Sequence, residues 1–327
     1  MSEQKMHILA QRKPIDKNHN MVFGAIDLGT NNCRLLVAKK SGHDFRIIDS
    51  FSRVVHLGEN LSRSKELSEQ AMSRTLQALK ICAQKLGKNQ VHKYRAVATA
   101  ACRAAMNSHE FLNLVQTETG LSLEIISAEE ESRLSASACT TLMEDRFPYY
   151  LVFDIGGGST EFCWTKKTDD SFHLINYLSI PYGVTNVMED PNTPVSQERN
   201  QQIVTMIKEF DVKNNITQMF LDKKVQAIGN SGTVTALAAV NMNLKVYDRA
   251  KVDGYRFPRQ DILETSNAVC NMTSKERVKN TCIGHDRADY MIAGCDILTL
   301  ICKHWPIENL YVADRGLREG ILYDFLY

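Results

Sequence analysis

Residues 149–161 read YYLVFDIGGGSTE and join an apolar run to an acid and a glycine-rich turn. An apolar run of this length that ends in glycines predicts a buried strand. The strand ends near Asp154, and the three glycines after it let backbone N–H groups approach a bound anion. This stretch therefore predicts a strand that carries a phosphate-binding turn at its end.

A similar pattern occurs earlier in the chain, where residues 22–26 are apolar and lead into Asp27-Leu28-Gly29-Thr30. A fixed offset of 127 residues relates three pairs, namely Asp27 and Asp154, Arg34 and Glu161, and the Lys-Lys pairs at 39/40 and 166/167. A repeat at constant spacing indicates a duplicated structural unit. We therefore expect two similar halves.

Each half is predicted to contain five strands with a helix after the third strand. The predicted strands are 22–26, 33–38, 45–48, 94–98 and 123–126 in the first half, and 149–153, 161–164, 173–177, 225–228 and 310–312 in the second. Apolar residues between 67 and 86 recur at three- and four-residue spacing and predict a helix that stops at Gly87. The fold class is α/β, with two mixed five-stranded sheets and a cleft between them. The expected domains are 21–145 and 146–327, after a loose tail at 1–20.

Composition excludes several classes of protein. The net charge is +1 over 327 residues, and it gives no large positive field for bulk nucleic-acid binding. The nine cysteines lie in apolar stretches without metal-binding spacing, which favours free thiols in a reducing cytosol. The N-terminus has no signal-peptide pattern, and the longest apolar stretch, 290–302, contains Asp296 and is too short to cross a bilayer. We expect a soluble, cytoplasmic protein with no membrane partner.

The two Asp-x-Gly turns form a candidate phosphate clamp. Their glycines bring backbone N–H groups to phosphate, while Asp27 and Asp154 can hold a divalent cation. A single turn of this type is more often only a tight hairpin, but the duplicated register and the three glycines favour phosphate binding. A third turn at 228–233 precedes an apolar helix at 234–240, and a helix N-terminus attracts phosphate.

Two further groups of residues extend the candidate site. Arg103 follows the predicted strand 94–98 at its carboxyl end, where ligands of open sheets bind, and Arg suits phosphate. Glu129, Glu130 and Glu131 open a helix. Acids there commonly just complement the helix dipole. One of them could instead take a proton from an attacking water, although spacing alone does not distinguish which.

Together these motifs resemble the exopolyphosphatase/guanosine pentaphosphate phosphohydrolase (Ppx/GppA) family of the sugar kinase, Hsp70 and actin superfamily, over about residues 21–327. The resemblance is carried by 154–161, by 232–238 and by the C-terminal stretch Asp314-Arg315-Gly316-Leu317-Arg318-Glu319-Gly320. It implies two ribonuclease H-like (actin-like) domains with the active site in the interdomain cleft. It also leaves room for the last helix to pack back on the first domain.

The resemblance also implies residue roles. Glu131 would be the catalytic base, Asp154 and Glu161 would hold Mg²⁺ (or Mn²⁺) and the water, and Asp27 would face them. With Glu161 counted as both catalytic and metal-binding, the metal set is Asp27, Asp154 and Glu161. The predicted phosphate-binding residues are Thr30, Asn31, Arg34, Arg103, Gly156, Gly157, Gly158, Ser159, Thr160, Gly232, Thr233 and Arg287.

Two departures from the family pattern stand out. The first motif reads Thr30-Asn31-Asn32-Cys33 where the family usually has Ser-Asn-Ser. Asp253-Gly254 stands where many members have His-Gly, and the sequence assigns that loop no role. The chain is expected to be a short form without additional C-terminal domains, and therefore to release its substrate between cuts.

The expected function is exopolyphosphatase, which hydrolyses the terminal phosphoanhydride of inorganic polyphosphate. The alternative with the same chemistry is guanosine pentaphosphate hydrolysis. A kinase or ATP-driven chaperone would need an acceptor or peptide domain. A non-catalytic sensor of guanosine polyphosphates would be expected to have lost the acidic residues of the candidate site. The expected partners are inorganic polyphosphate or guanosine pentaphosphate, with a homodimer left open.

Overall fold

The computed structural model describes residues 21–42, 44–168, 172–185 and 197–326. The predicted loose tail at 1–20 lies outside the described residues. So does part of 166–170, which the sequence predicts as the turn between the strands 161–164 and 173–177.

Eleven strands and thirteen α-helices are described within these ranges. The strands are β1 (Val22–Leu28), β2 (Asn32–Ser41), β3 (Asp44–Val54), β4 (Lys93–Ala98), β5 (Leu123–Ile125), β6 (Tyr149–Ile155), β7 (Thr160–Lys167), β8 (Phe172–Ile180), β9 (Val225–Asn230), β10 (Arg256–Pro258) and β11 (Asn309–Ala313). The helices are α1 (Leu61–Ser64), α2 (Glu69–Lys88), α3 (Ala100–Ala104), α4 (Ser108–Thr119), α5 (Ala128–Ala138), α6 (Gln197–Asn214), α7 (Ile216–Leu221), α8 (Gly232–Asn241), α9 (Arg249–Val252), α10 (Arg259–Asn271), α11 (Ser274–Lys279), α12 (Met291–His304) and α13 (Leu317–Tyr323).

The strands form two mixed sheets, as predicted. The first has the order β3-β2-β1-β4-β5, and the second has the order β10-β11-β9-β6-β7-β8. In each sheet the first three strands in sequence pair antiparallel, each with the next, while β4 and β5 run parallel to β1, and β9 and β11 run parallel to β6. The prediction of five strands was wrong for the second sheet, because β10 pairs antiparallel with β11 at its outer edge. Three residues with only one buried side chain carry too little pattern to be recognised.

The predicted repeat is visible in the hydrogen bonding. The amide of Gly29 donates to the carbonyl of Asn32 at 2.9 Å, and 127 residues later the amide of Gly156 donates to Ser159 at 2.9 Å. A β-bulge falls between Val37 and Ala38, and another falls at the same offset between Trp164 and Thr165. The two halves therefore share their turns and their strand irregularities.

Helix α2 confirms the predicted apolar periodicity but not its end. The Ser68 hydroxyl caps the N-terminus by accepting from the amide of Ala71 at 3.1 Å. Gly87 lies inside the helix, not at its stop. The chain leaves the helix through Asn89 and through Gln90, which has a left-handed φ of 51°. Gly was the expected stop because it adopts that conformation most easily, but here Gln adopts it.

The C-terminal helix α13 packs against the first sheet. Leu317, Ile321 and Leu322 share a buried cluster with Phe23 and Leu36 of β1 and β2. Helix α13 also crosses α5 closely, since a Cβ on Gly320 would lie 2.7 Å from the carbonyl carbon of Leu134. The last helix is therefore joined to the core of the first half. Among the described residues, no helix combines the length and apolarity needed to cross a membrane.

Candidate active site

A cleft of about 640 Å³ lies between the two sheets and is lined by residues of both halves. Most of the predicted site residues line it. They are Asp27, Thr30, Asn31, Arg34, Glu131, Asp154, Gly156, Gly157, Gly158, Ser159, Gly232, Thr233 and Arg287. Glu161, Arg103 and Thr160 do not line the cleft. The structure thus brings together three turns that are far apart in sequence.

The two glycine turns approach each other across the cleft. A Cβ on Gly158 would lie 2.5 Å from Oγ1 of Thr30, and one on Gly157 would lie 3.3 Å from the Cβ of Thr30. A side chain at Gly158 could not be accommodated without displacement of Thr30. Glycine thus has two advantages at this position. It leaves room for Thr30, and it lets the backbone approach an anion.

Backbone hydrogen bonds hold each turn from behind. In the first half, the amides of Val55 and His56 donate to the carbonyl of Asn31 at 2.8 and 3.1 Å. In the second half, the amides of Val184 and Thr185 donate to the carbonyls of Gly156 and Gly157 at 2.9 and 2.8 Å. The turns are therefore rigidly placed before any ligand binds.

The third turn leads into α8. The hydroxyl of Ser231 caps this helix by accepting from the amide of Val234 at 3.0 Å. Thr233 is held against α12, because a Cβ on Gly294 would collide with its side chain. Gly232 faces Arg287, whose Nε lies 3.6 Å from a Cβ built at this position. Thr160 has a different role, since its hydroxyl donates to the carbonyl of Tyr182 at 2.8 Å.

Asp27 and Asp154 occupy equivalent places at the ends of β1 and β6. Burial raises the pKa of Asp27, and the nearby Arg34 partly offsets that rise. Burial raises the pKa of Asp154 to about 7, and the charge of Glu131 adds to the effect. Nδ2 of Asn230 donates to Asp154 at 3.4 Å. At both carboxylates, burial therefore outweighs the effect of the nearby cations.

Glu161 lies behind the second glycine turn. It is only 4% exposed, and it accepts hydrogen bonds from the hydroxyls of Ser159 and, at 3.2 Å, Ser179. Burial raises its pKa to about 7 in spite of these bonds. Its position allows it to orient Ser159, which lines the cleft.

The structure separates the three glutamates that open α5. Glu129 is exposed. Glu130 is paired with Arg95 and with Arg133 at 2.8 Å each. Glu131 alone lines the cleft, and it accepts from Nη1 of Arg103 at 2.7 Å. Burial, followed by the charge of Glu161, raises the pKa of Glu131 to about 8.

The pairing with Glu131 also explains where Arg103 lies. Nη1 of Arg103 donates to Glu131 and to the carbonyl of Ile126 at 3.1 Å. The predicted contact between Arg103 and phosphate therefore stays a prediction, because in this structure the guanidinium is behind Glu131.

Sequence reasoning missed several residues of the cleft wall. Arg318 lies within the C-terminal stretch that carried the family resemblance, but no role was assigned to it; it lines the cleft. Tyr290 was also missed, and its hydroxyl lies 3.2 Å from Nδ1 of His56 in the other half. The only sequence signal for Arg318 was its place in the C-terminal stretch that resembles the family. Arg318 approaches β1 and β2 because of the long-range packing of α13, which a local pattern does not reveal.

No group of three or more His, Cys, Asp or Glu side chains in the described part of the chain is arranged to hold a metal ion. Magnesium sites of phosphate-processing enzymes need fewer protein ligands, because waters and substrate phosphates complete the octahedron. Asp27 and Asp154 supply hard oxygen ligands beside the phosphate turns, so the residues fit a magnesium ion bound together with phosphate. Both serine hydroxyls bond to Oε1 of Glu161, and the predicted contact of Glu161 with the metal ion stays a prediction.

A family model described as the Ppx/GppA phosphatase family matches residues 36–327. The chain belongs to this family. The structure of the Ppx-GppA enzyme of Aquifex aeolicus is 30% identical, with a TM-score of 0.73 over 93% of this chain and 99% of that one. An exopolyphosphatase of Cytophaga hutchinsonii shares the fold, with a TM-score of 0.80 and 24% identity over 94% and 98% of the two chains.

A curated relative is a bifunctional 3-dehydroquinate synthase/phosphatase of Fusobacterium nucleatum, which is 28% identical over 322 residues. The match covers 95% of this chain and 47% of the relative. The chain thus spans about half the length of the curated relative it matches.

Proposed function

We propose that the chain is an exopolyphosphatase that hydrolyses the terminal phosphoanhydride of inorganic polyphosphate and releases orthophosphate. The observation that carries this proposal is the arrangement of the cleft, which is lined by two opposed glycine turns, by Arg34, Arg287 and Arg318, and by Glu131. Guanidinium groups and backbone amides recognise phosphate oxygens. A neighbouring carboxylate is the group needed to activate water.

In the proposed reaction, Glu131 holds a water molecule in line with the terminal phosphorus. The water oxygen bonds to phosphorus, its proton passes to the carboxylate of Glu131, and the bond from phosphorus to the bridging oxygen breaks. The electron pair leaves with the shortened chain. Positioning and electrostatic stabilisation supply most of the acceleration in phosphoryl transfer.

The surrounding residues prepare this step. Arg103 holds the Glu131 carboxylate at 2.7 Å and keeps it directed at the cleft. Glu161 fixes the hydroxyl of Ser159. When bound to Asp27 and Asp154, Mg²⁺ or Mn²⁺ would neutralise phosphate charge.

A second candidate substrate is guanosine pentaphosphate, and a second cavity favours it. This cavity, of about 340 Å³, is lined by Tyr247 and residues 281–287, and it shares Asp286 and Arg287 with the cleft. Arg287 lies 6.0 Å from the centroid of the Tyr247 ring. A nucleoside could occupy this cavity while its phosphates lie in the cleft.

We also propose a cytoplasmic location. All nine cysteines are free within the described residues, and eight of them are buried. Free thiols are typical of reducing compartments.

A phosphate-release assay with long-chain polyphosphate, tripolyphosphate, guanosine pentaphosphate and ATP tests the proposed function. We expect polyphosphate to be hydrolysed fastest, with activity lost in excess chelator and restored by Mg²⁺ or Mn²⁺. Preferential hydrolysis of guanosine pentaphosphate would select the second candidate. Phosphate release from none of the four substrates, with metal present, would refute both.

A further inference from the structure

Several polar side chains near Arg318 are committed to other partners. Asp253 accepts from the amide of Asp314 at 3.0 Å and from Nε of Arg315 at 2.8 Å. Glu319 accepts from Nη2 of Arg249 at 2.9 Å. These bonds give the Asp253-Gly254 loop a structural role, because Asp253 holds the chain that leads to Arg318.

Arg318 itself has no such partner. Among the described residues, its guanidinium makes no hydrogen bond and no ion pair within 4 Å, and it lines the cleft. Burial lowers its pKa, the adjacent Glu319 opposes that effect, and the positive charge of Arg34 adds to it. Desolvation and the neighbouring cation Arg34 disfavour the charge of Arg318, and the carboxylates of Glu319 and Asp27 offset part of that cost without a direct ion pair.

Two other arginines that line the cleft, Arg34 and Arg287, also lack such partners among the described residues. Neither Arg34 nor Arg287 forms a side-chain hydrogen bond or ion pair within the described chain, and the charge of Arg34 lowers the pKa of Arg287 after burial has done so. Three unpaired guanidinium groups around one space leave many donors unused. Burial of an unpaired charged group raises the free energy of the folded protein unless a ligand neutralises the charge.

We propose that Arg318 is a phosphate-binding residue that acts with Arg34 and Arg287 to bind two or more linked phosphates of the substrate. Three guanidinium groups carry more N–H donors than the oxygens of a single phosphate accept, whereas a run of phosphates supplies more acceptor oxygens. Arg318 therefore selects phosphate chains over single phosphate groups. This inference rests on the proposed function for its substrate class.

The test compares binding of tripolyphosphate, pyrophosphate and orthophosphate to the full chain by calorimetry, in excess chelator. In R318Q, we expect tripolyphosphate affinity to fall roughly 10- to 100-fold, which is the usual effect of losing charge-assisted hydrogen bonds. The loss for orthophosphate should be smaller. R318K keeps the charge without the planar fork, so its affinity should be intermediate. R46Q makes the same charge change at an exposed position on β3 and should bind like the wild type.

Two further readouts separate binding from a structural role. The affinity of R318Q should depend less steeply on salt, because one ion pair fewer is screened. Its melting temperature should be unchanged or higher, since a buried unpaired cation has been removed. The proposal would be overturned if folded R318Q bound tripolyphosphate as tightly as the wild type. It would also be overturned if the melting temperature of R318Q fell while its affinity stayed unchanged.

The outcomes for the two proposals are distinguishable. If tripolyphosphate binds in an Arg318-dependent way but is not hydrolysed with Mg²⁺, the proposed function fails and the binding role stands. If it is hydrolysed and R318Q binds it normally, the binding role fails and the proposed function stands.

Discussion

The position of one carboxylate distinguishes three neighbouring glutamates. The sequence left Glu129, Glu130 and Glu131 equivalent on spacing, and only the family resemblance indicated Glu131. In the structure, Glu131 is the one that faces the cleft, while Glu129 faces solvent and Glu130 is held by two arginines. Because a helix turns about 100° per residue, consecutive side chains point in different directions. The catalytic role of Glu131 stays a prediction.

Substitution of Glu131 by Gln should lower turnover of the preferred substrate by about 100-fold or more, because general-base catalysis commonly contributes that much. Gln keeps the size of the side chain and can still contact Arg103, so the fold and phosphate binding should be largely retained. The matched control is E129Q, which makes the same charge change two residues earlier, at an exposed position outside the cleft. Steady-state kinetics with purified variants measures the difference. Equal turnover in E131Q and E129Q would remove Glu131 from the mechanism.

The residues missed by sequence reasoning share a physical cause. Arg318 reaches the cleft only because α13 returns to the first sheet, where it packs on α5 and β1. Periodicity reports which face of an element is buried, but it does not report which distant element covers that face. The glycine turns were predictable because a short local sequence fixes their geometry.

At the scale of elements, most strands and the long helix could be predicted, whereas edges and ends could not. β10 was missed because it has three residues, and its pairing with β11 joins parts of the chain that are far apart. The end of α2 was misplaced because Gln90 adopts the left-handed conformation usually assigned to Gly. For β10 a long-range pairing decides the structure, whereas α2 ends in local hydrogen bonds, from the amide of Gln90 to the carbonyl of Gly87 and from the amide of Val91 to the carbonyl of Leu86.

Two glycines inside helices should respond oppositely to the same substitution. G320A should lower the free energy of unfolding by about 1–3 kcal/mol, because the new methyl group collides with the backbone of α5. G87A should raise it by about 0.5 kcal/mol, since Gly87 has no atom within 4 Å of the new Cβ and alanine favours helix. Urea unfolding of both variants provides the measurement. A stabilising effect of G320A would show that the close crossing of α5 and α13 is not maintained in solution.

At the scale of the whole molecule, the net charge is +1, and the cleft gathers three unpaired arginines among the described residues. We therefore expect a polyanion to be bound only by the charged groups of the cleft. Rising salt should raise the apparent KM for polyphosphate more than it lowers kcat, because a few screened ion pairs hold the substrate. Gel analysis of long chains during digestion should show a ladder of intermediates. A salt-independent KM, or chains that vanish without intermediates, would contradict this expectation.

The repeated register also creates a broken symmetry. Arg34 lies opposite Asp27 in the first half, and at the equivalent place Glu161 lies opposite Asp154 in the second. Arg34 lines the cleft, whereas Glu161 lies behind the second glycine turn. A polyphosphate chain has indistinguishable ends, so a fully symmetric cleft could not tell one orientation of its bound end from the other. The exchange of a single charge between equivalent strands makes the surroundings of the two glycine turns electrostatically different, and the two orientations of a bound phosphate chain would therefore differ in energy.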